Sequence, residues 1–221
     1  MATTPIRIGL IHATMNSVQP IHAAFREQAP HVTLLNFMDE GLIFELNETG
    51  VITPAMIRRL IALIERAEES GVDGILLTCS SFSPYVTQIK KLFSTPVVSA
   101  DTSMLEYSVE VAERIGVIAT VGTAGPITTQ QLKEIAALRG KSIEVQTVVI
   151  TDAFFALQNG DVATHDGRIH QKIEELSESC DVILLAQMSM ARALRTINKE
   201  MKKPVLTSPE ISIRTILNLL A

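Results

Sequence analysis

Residues Gly71–Pro84 read GVDGILLTCSSFSP. The apolar run Ile75-Leu76-Leu77 has the continuity of a strand covered on both faces, as in a parallel sheet. It stops at Thr78-Cys79-Ser80-Ser81. Ser83 and Pro84 then carry the N-cap and first-turn chemistry of a helix. A thiol thus stands where a strand ends and a helix begins. Ligands of open α/β sheets bind at the carboxyl ends of strands. Unpaired N–H groups at a helix start favour a thiolate or a carboxylate.

Working outward, strands and helices alternate. Strands are expected at Ile6–Ile11, Val32–Phe37, Val72–Thr78 and Pro96–Ser99, then Ile115–Val121, Ile143–Ile150, Asp181–Ala186 and Pro204–Leu206. Helices are expected at Pro20–Gln28, from Thr53-Pro54 to near Gly71, Ser83–Phe93, Asp101 to about Arg114, Pro126–Arg139, Val162–Ser179, Ala191–Met201 and from Ser208-Pro209 to the end. Met38-Asp39-Glu40-Gly41 reads as a loop.

The chain also repeats itself. Ile8-Gly9-Leu10-Ile11 returns as Ile115-Gly116-Val117-Ile118. VDGILLTCSSF from Val72 returns as CDVILLAQMSM from Cys180, and Thr95–Ser99 returns as Lys203–Thr207. Three matches in one order at nearly one offset point to a duplicated unit of about 107 residues, within the usual size of a domain. The expected architecture is α/β: two similar lobes, each a small mostly parallel sheet flanked by helices, related by a pseudo-two-fold, with the site in the cleft between them. The boundaries are 1–99 plus 208–221 for the first lobe and 100–207 for the second. Duplication sets Gln187 opposite Cys79.

Composition narrows the function. The chain has 221 residues, 47% hydrophobic and 19% charged, with a net charge of −5. No basic run exceeds two lysines, which disfavours nucleic acid. No apolar run approaches the ~18 residues of a membrane span, and the start has no signal-peptide pattern. Cys79 and Cys180 form neither a disulfide framework nor a metal motif. His165 and His170 are five apart, off the spacing that stacks ligands on one helix face. The expectation is a cytoplasmic protein without metal, nucleotide or other cofactor and without membrane association.

Ile8–Ile11, Cys79 followed by Ser80-Ser81, Thr120-Val121-Gly122-Thr123 and the repeated apolar strand together resemble the aspartate/glutamate/hydantoin racemase superfamily, over essentially the whole chain. The resemblance implies a cofactor-independent enzyme acting at the carbon next to a carboxylate of a small carboxylic or amino acid, and a homo-oligomer. Most members place a cysteine at the equivalent strand end of each lobe. One removes the proton and the other returns it on the opposite face. Arylmalonate decarboxylases, with one cysteine, and maleate isomerases belong there too. Here Cys79 keeps the first position, and Gln187 stands at the second. Glutamine cannot act as acid or base. Cys180 lies seven residues earlier, over ~20 Å along a strand, as a small buried hydrophobe. This looks like a single-cysteine branch with one-sided, isomerase or decarboxylase chemistry. A two-lobed metabolite-binding protein without catalysis is the alternative.

The candidate catalytic residues are Cys79 and His12. A thiolate near helix N–H groups exchanges protons with carbon readily, and His12 ends the first strand with a side chain that titrates near neutrality. A structural thiol and a packing histidine are the competing readings. Thr78, Ser80, Ser81, Thr120, Gly122 and Thr123 supply hydroxyl and backbone donors for a carboxylate or an enediolate. Gln187, Ser189 and Asn16 are candidates for a second polar group of the substrate. Asp39, Glu40 and Asp152 read as surface loop acids.

Overall fold

The computed structural model describes residues 5–197 and 200–221. The first sheet consists of β1 (Arg7–His12), β2 (Thr33–Met38), β3 (Gly74–Leu77) and β4 (Val97–Ser99), all parallel, in the order β2-β1-β3-β4. The second consists of β5 (Arg114–Ala119), β6 (Glu144–Val149), β7 (Val182–Leu185) and β8 (Val205–Thr207), in the order β6-β5-β7-β8. The two orders are the same order. Ile75-Leu76-Leu77 and Ile183-Leu184-Leu185 are 0–1% exposed, which is why they read as unbroken apolar runs.

The helices follow the same duplication. The first half carries α1 (Val18–Gln28), α2 (Gly41–Thr49), α3 (Pro54–Glu69) and α4 (Ser83–Ile89). The second carries α5 (Thr102–Val111), α6 (Ala124–Leu138), α7 (Thr151–Gln158), α8 (Val162–Leu176) and a 3-10 segment at Met188–Thr196, and α9 (Ser208–Leu220) closes the chain. Residues divide into two compact units, Met1–Ala100 with Pro209–Ala221, and Asp101–Ser208. No described helix is long and apolar enough to cross a membrane.

The matching extends to single bonds. Arg7 N donates to Asp73 Oδ2 at 2.7 Å, and Arg114 N donates to Asp181 Oδ2 at 3.0 Å. Gly9 and Gly116, at equivalent places in the two sheets, are both closely covered. A Cβ at Gly9 would meet the Ala67 Cβ at 3.1 Å, and one at Gly116 would meet Cys180 Sγ and Leu176 Cδ1 at 3.2 Å. Cys180 belongs to the hydrophobic core of the second unit.

Several elements differ from the sequence reading. Gly41–Thr49 and Thr151–Gln158 are helices where no helix was expected; the first begins inside the expected Met38–Gly41 loop. Neither has a side-chain cap, so neither carries a start signal. The helix expected from Asp101 ends at Val111, because Arg114 already opens β5. The expected helix Ala191–Met201 is replaced by the 3-10 segment through Thr196; its residues 198 and 199 lie outside the described residues. Gly71 has φ +68, a left-handed residue just past α3 that ends the helix as its glycine implies.

Candidate active site

In the first unit β1 and β3 are neighbours, with Ile11 beside Leu77. Their carboxyl ends therefore bring together His12, Asn16, Thr78, Cys79, Ser80 and Ser81. Cys79 is extended (φ −112, ψ 112), and Ser80–Phe82 form a 3-10 turn, closed by Phe82 N donating to Cys79 O at 3.3 Å. That turn takes up an N–H expected to face a ligand. The side chains of Thr78, Cys79, Ser80 and Ser81 are nearly enclosed, at 2–7% exposure.

His12 sits in a closed network. Its Nε2 lies 3.0 Å from Asn36 Oδ1, which also lies 2.8 Å from His22 Nε2. An amide oxygen only accepts, so His12 carries its proton on Nε2. Nδ1 then accepts from a hydroxyl, with Thr78 Oγ1 and Ser17 Oγ both at 2.8 Å. Burial, opposed by the Asn36 hydrogen bond, lowers its pKa from 6.5 to about 4. His12 is fully buried with both ring nitrogens engaged. His12, expected as a second acid/base, is thus bonded to Thr78, the residue directly before Cys79.

In the second unit β5 and β7 are neighbours, with Ile118 beside Leu185. Their ends bring together Thr120, Gly122, Thr123, Gln187 and Ser189. Gln187 is extended (φ −127, ψ 144) and opens a 3-10 segment in which Met190 N donates to Gln187 O at 3.0 Å. The backbone is that of Cys79. Gln187 Oε1 accepts from Thr120 N at 2.8 Å. Its amide nitrogen, like Thr123 Oγ1, is buried without a hydrogen-bond partner. A Cβ at Gly122 would meet nothing within 4 Å, so this stretch of backbone is open to a ligand.

A family profile described as Asp/Glu/Hydantoin racemase matches residues 8–216. The chain belongs to this family. Similar structures include an aspartate racemase homologue from Pyrococcus horikoshii, at 18% identity and a TM-score of 0.72, with 97% of this chain and 98% of that one covered. Picrophilus torridus aspartate racemase matches at 16% identity and a TM-score of 0.72, covering 97% and 94%. Allantoin racemase from Klebsiella pneumoniae matches at 16% and 0.65, covering 97% and 87%. At these identities the likeness is one of fold. No curated protein matches the chain.

The acids near the strand ends of this racemase-family chain are engaged elsewhere. Asp39 receives Arg59 Nε at 2.8 Å, Glu40 caps Met15 N at 3.1 Å, and Asp152 pairs with Arg168 at 3.2 Å. Ser208, at the start of the expected last helix, is a further strand-end residue. It follows β8 directly, is fully buried and has a hydroxyl without a partner. Its place after a strand end was the signal available in the sequence. Among the described residues no group of three His, Cys, Asp or Glu side chains could hold a metal ion.

Proposed function

We propose that the chain is a cofactor-independent enzyme acting at the carbon next to a carboxylate of a small carboxylic or amino acid, with Cys79 as its acid/base. The observation that carries this reading is the pair Cys79 and Gln187. They hold equivalent backbone positions, and only one of them has a proton to exchange. Chemistry is therefore one-sided, of isomerase or decarboxylase type. In the proton-transfer form the thiolate takes the α-proton, the C–H electron pair spreads onto the carboxylate as an enediolate, and the thiol returns the proton either to the same carbon, which gives solvent exchange only, or to another carbon conjugated with it, which gives the isomer. In the decarboxylating form the C–C pair becomes the enediolate, Cys79 protonates the carbon, and water reprotonates the thiolate. In the first unit Thr78, Ser80, Ser81 and Asn16 offer neutral donors to carboxylate oxygens; in the second, Thr120, Thr123, Gln187 and Ser189 offer donors of the same kind. A reducing cytoplasm keeps the thiol available.

The test is incubation in D₂O with a panel of small α-substituted carboxylic, dicarboxylic and amino acids. Solvent deuterium at the α-carbon without inversion, or loss of CO₂, is expected. Cys79→Ala lowers the rate at least ~100-fold, the scale of general acid–base catalysis. Inversion at the rate of exchange contradicts one-sided chemistry. The absent acid at Gln187 also favours a second reading, a metabolite-binding protein. Ligand binding retained in Cys79→Ala, with no turnover by the native chain, decides for it.

A further inference from the structure

Helix α8 runs back along the second sheet and delivers the chain to the amino end of β7. Its fifteen residues span about 22 Å, so its first turns lie at the carboxyl edge, the edge that carries Gln187. His165 is on those turns and is fully buried. Its Nδ1 lies 2.7 Å from Asp166 Oδ1. The carboxylate therefore fixes the tautomer with the proton on Nδ1 and a lone pair on Nε2. Nε2, on the side of the ring away from Asp166, has no partner.

The same cluster grips the segment that follows Gln187. Arg192 Nε is 3.4 Å from Asp166 Oδ1, and Thr196 Oγ1 donates to Asp166 Oδ2 at 3.3 Å. His170 Nε2 donates to Ala193 O at 2.7 Å. Three buried nitrogens without hydrogen-bond partners, His165 Nε2, Gln187 Nε2 and Arg192 Nε, thus belong to one sheet edge and one tethered segment. Gln187 Oε1 is held by Thr120 N, so its amide nitrogen is available as a donor.

We propose that His165 is an anion-binding residue of the second lobe, taking up a proton on Nε2 as an acidic oxygen group of the substrate binds beside Gln187. This deepens the function proposed above and rests on it for the location of the site. Charge supports it. Asp166 and Arg192 offset each other, His170 faces the same cluster from α8, Asp152 of α7 is paired with Arg168, and β5 packs with apolar side chains such as Ile118. Burial therefore favours the neutral imidazole, against the pull of Asp166. An entering anion and a proton arrive together and leave the cluster's net charge unchanged. Asp166 stabilises the imidazolium, and Nε2–H donates to the ligand. The ligand class is a small acid with a second anionic oxygen group.

Calorimetric titration with malonate and with L-aspartate, each in two buffers of different ionisation heat, measures protons taken up on binding. About one unit above the ordinary histidine value of ~6.5, the native chain takes up close to one proton per ligand. His165→Gln abolishes the uptake and weakens binding roughly ten-fold or more. Asp166→Asn retains the ring but reduces the uptake, and serves if His165→Gln fails to fold. Cys79→Ala keeps the uptake, so absence of exchange activity in the native chain sinks the catalytic reading without touching this one. Uptake unchanged in His165→Gln, or no binding of either probe by the native chain, overturns the proposal.

Discussion

Cys79 and Gln187 show how much a single side chain decides when the backbone is duplicated. Gln187 uses its oxygen to satisfy Thr120 N, so its structural role is separable from its missing proton. Gln187→Leu leaves that buried N–H without an acceptor and lowers stability by about 1–3 kcal/mol; Gln187→Glu retains an acceptor and loses less, both read by urea unfolding. His12 makes a second residue-scale prediction. Its pKa is lowered from 6.5 to about 4, so between those values the unfolded chain binds a proton that the folded chain refuses. The contribution is full above about pH 6.5, falls as pH drops, and is gone below about 4, on the order of 3 kcal/mol in all. Unfolding free energy measured across that window should fall less steeply in His12→Asn than in the native chain. The strand-end position of His12 was legible in the sequence. Its role was not, because the partners Asn36, Ser17 and Thr78 come from three other places in the chain.

At the scale of elements, what could be read depended on whether the signal was local. The helix α3 announces itself with Thr53, whose side chain accepts from Met56 N, and with Pro54 in the first turn. By contrast α2 and α7 are eight or nine residues long and uncapped, and only packing against neighbours makes such short segments helical. The segment Met188–Thr196 resembles a helix in composition, but the bonds of Asp166 and His170 to its residues hold it as a 3-10 run. Gly116 is legible only through the repeat. Ala at 116 would press on Cys180 Sγ and Leu176 at 3.2 Å and should cost about 1–3 kcal/mol by overpacking. Adding Cys180→Ala removes one of the two contacts, so a double-mutant cycle in urea should show part of that loss recovered. A purely additive result would place the sulfur outside the clash.

For the whole molecule the duplication explains an order that the chain ends do not follow. The last helix, α9, belongs with the first half, since Pro209–Ala221 groups with Met1–Ala100. Its Ile213 and Ile216 are 0–1% exposed, and a Cβ built at Gly74 would lie 3.1 Å from Ile216 Cδ1. Gly74 therefore makes room for the returning helix on the strand that leads to Cys79. Asp181, at the amino end of β7, is bonded to Arg114 within the second half, independently of α9. Truncating Ile216 to Ala should cost about 2–5 kcal/mol, and the loss should be confined to one half. Hydrogen exchange should show weaker protection across β1 and β3 and unchanged protection across β5 and β7. Equal loss in both sheets would mean that the halves unfold as one cooperative unit. Confined loss would mean that the last helix, whose Ile216 lies 137 residues beyond Cys79, sets the local stability of the thiol's strand, and that the second sheet does not depend on it.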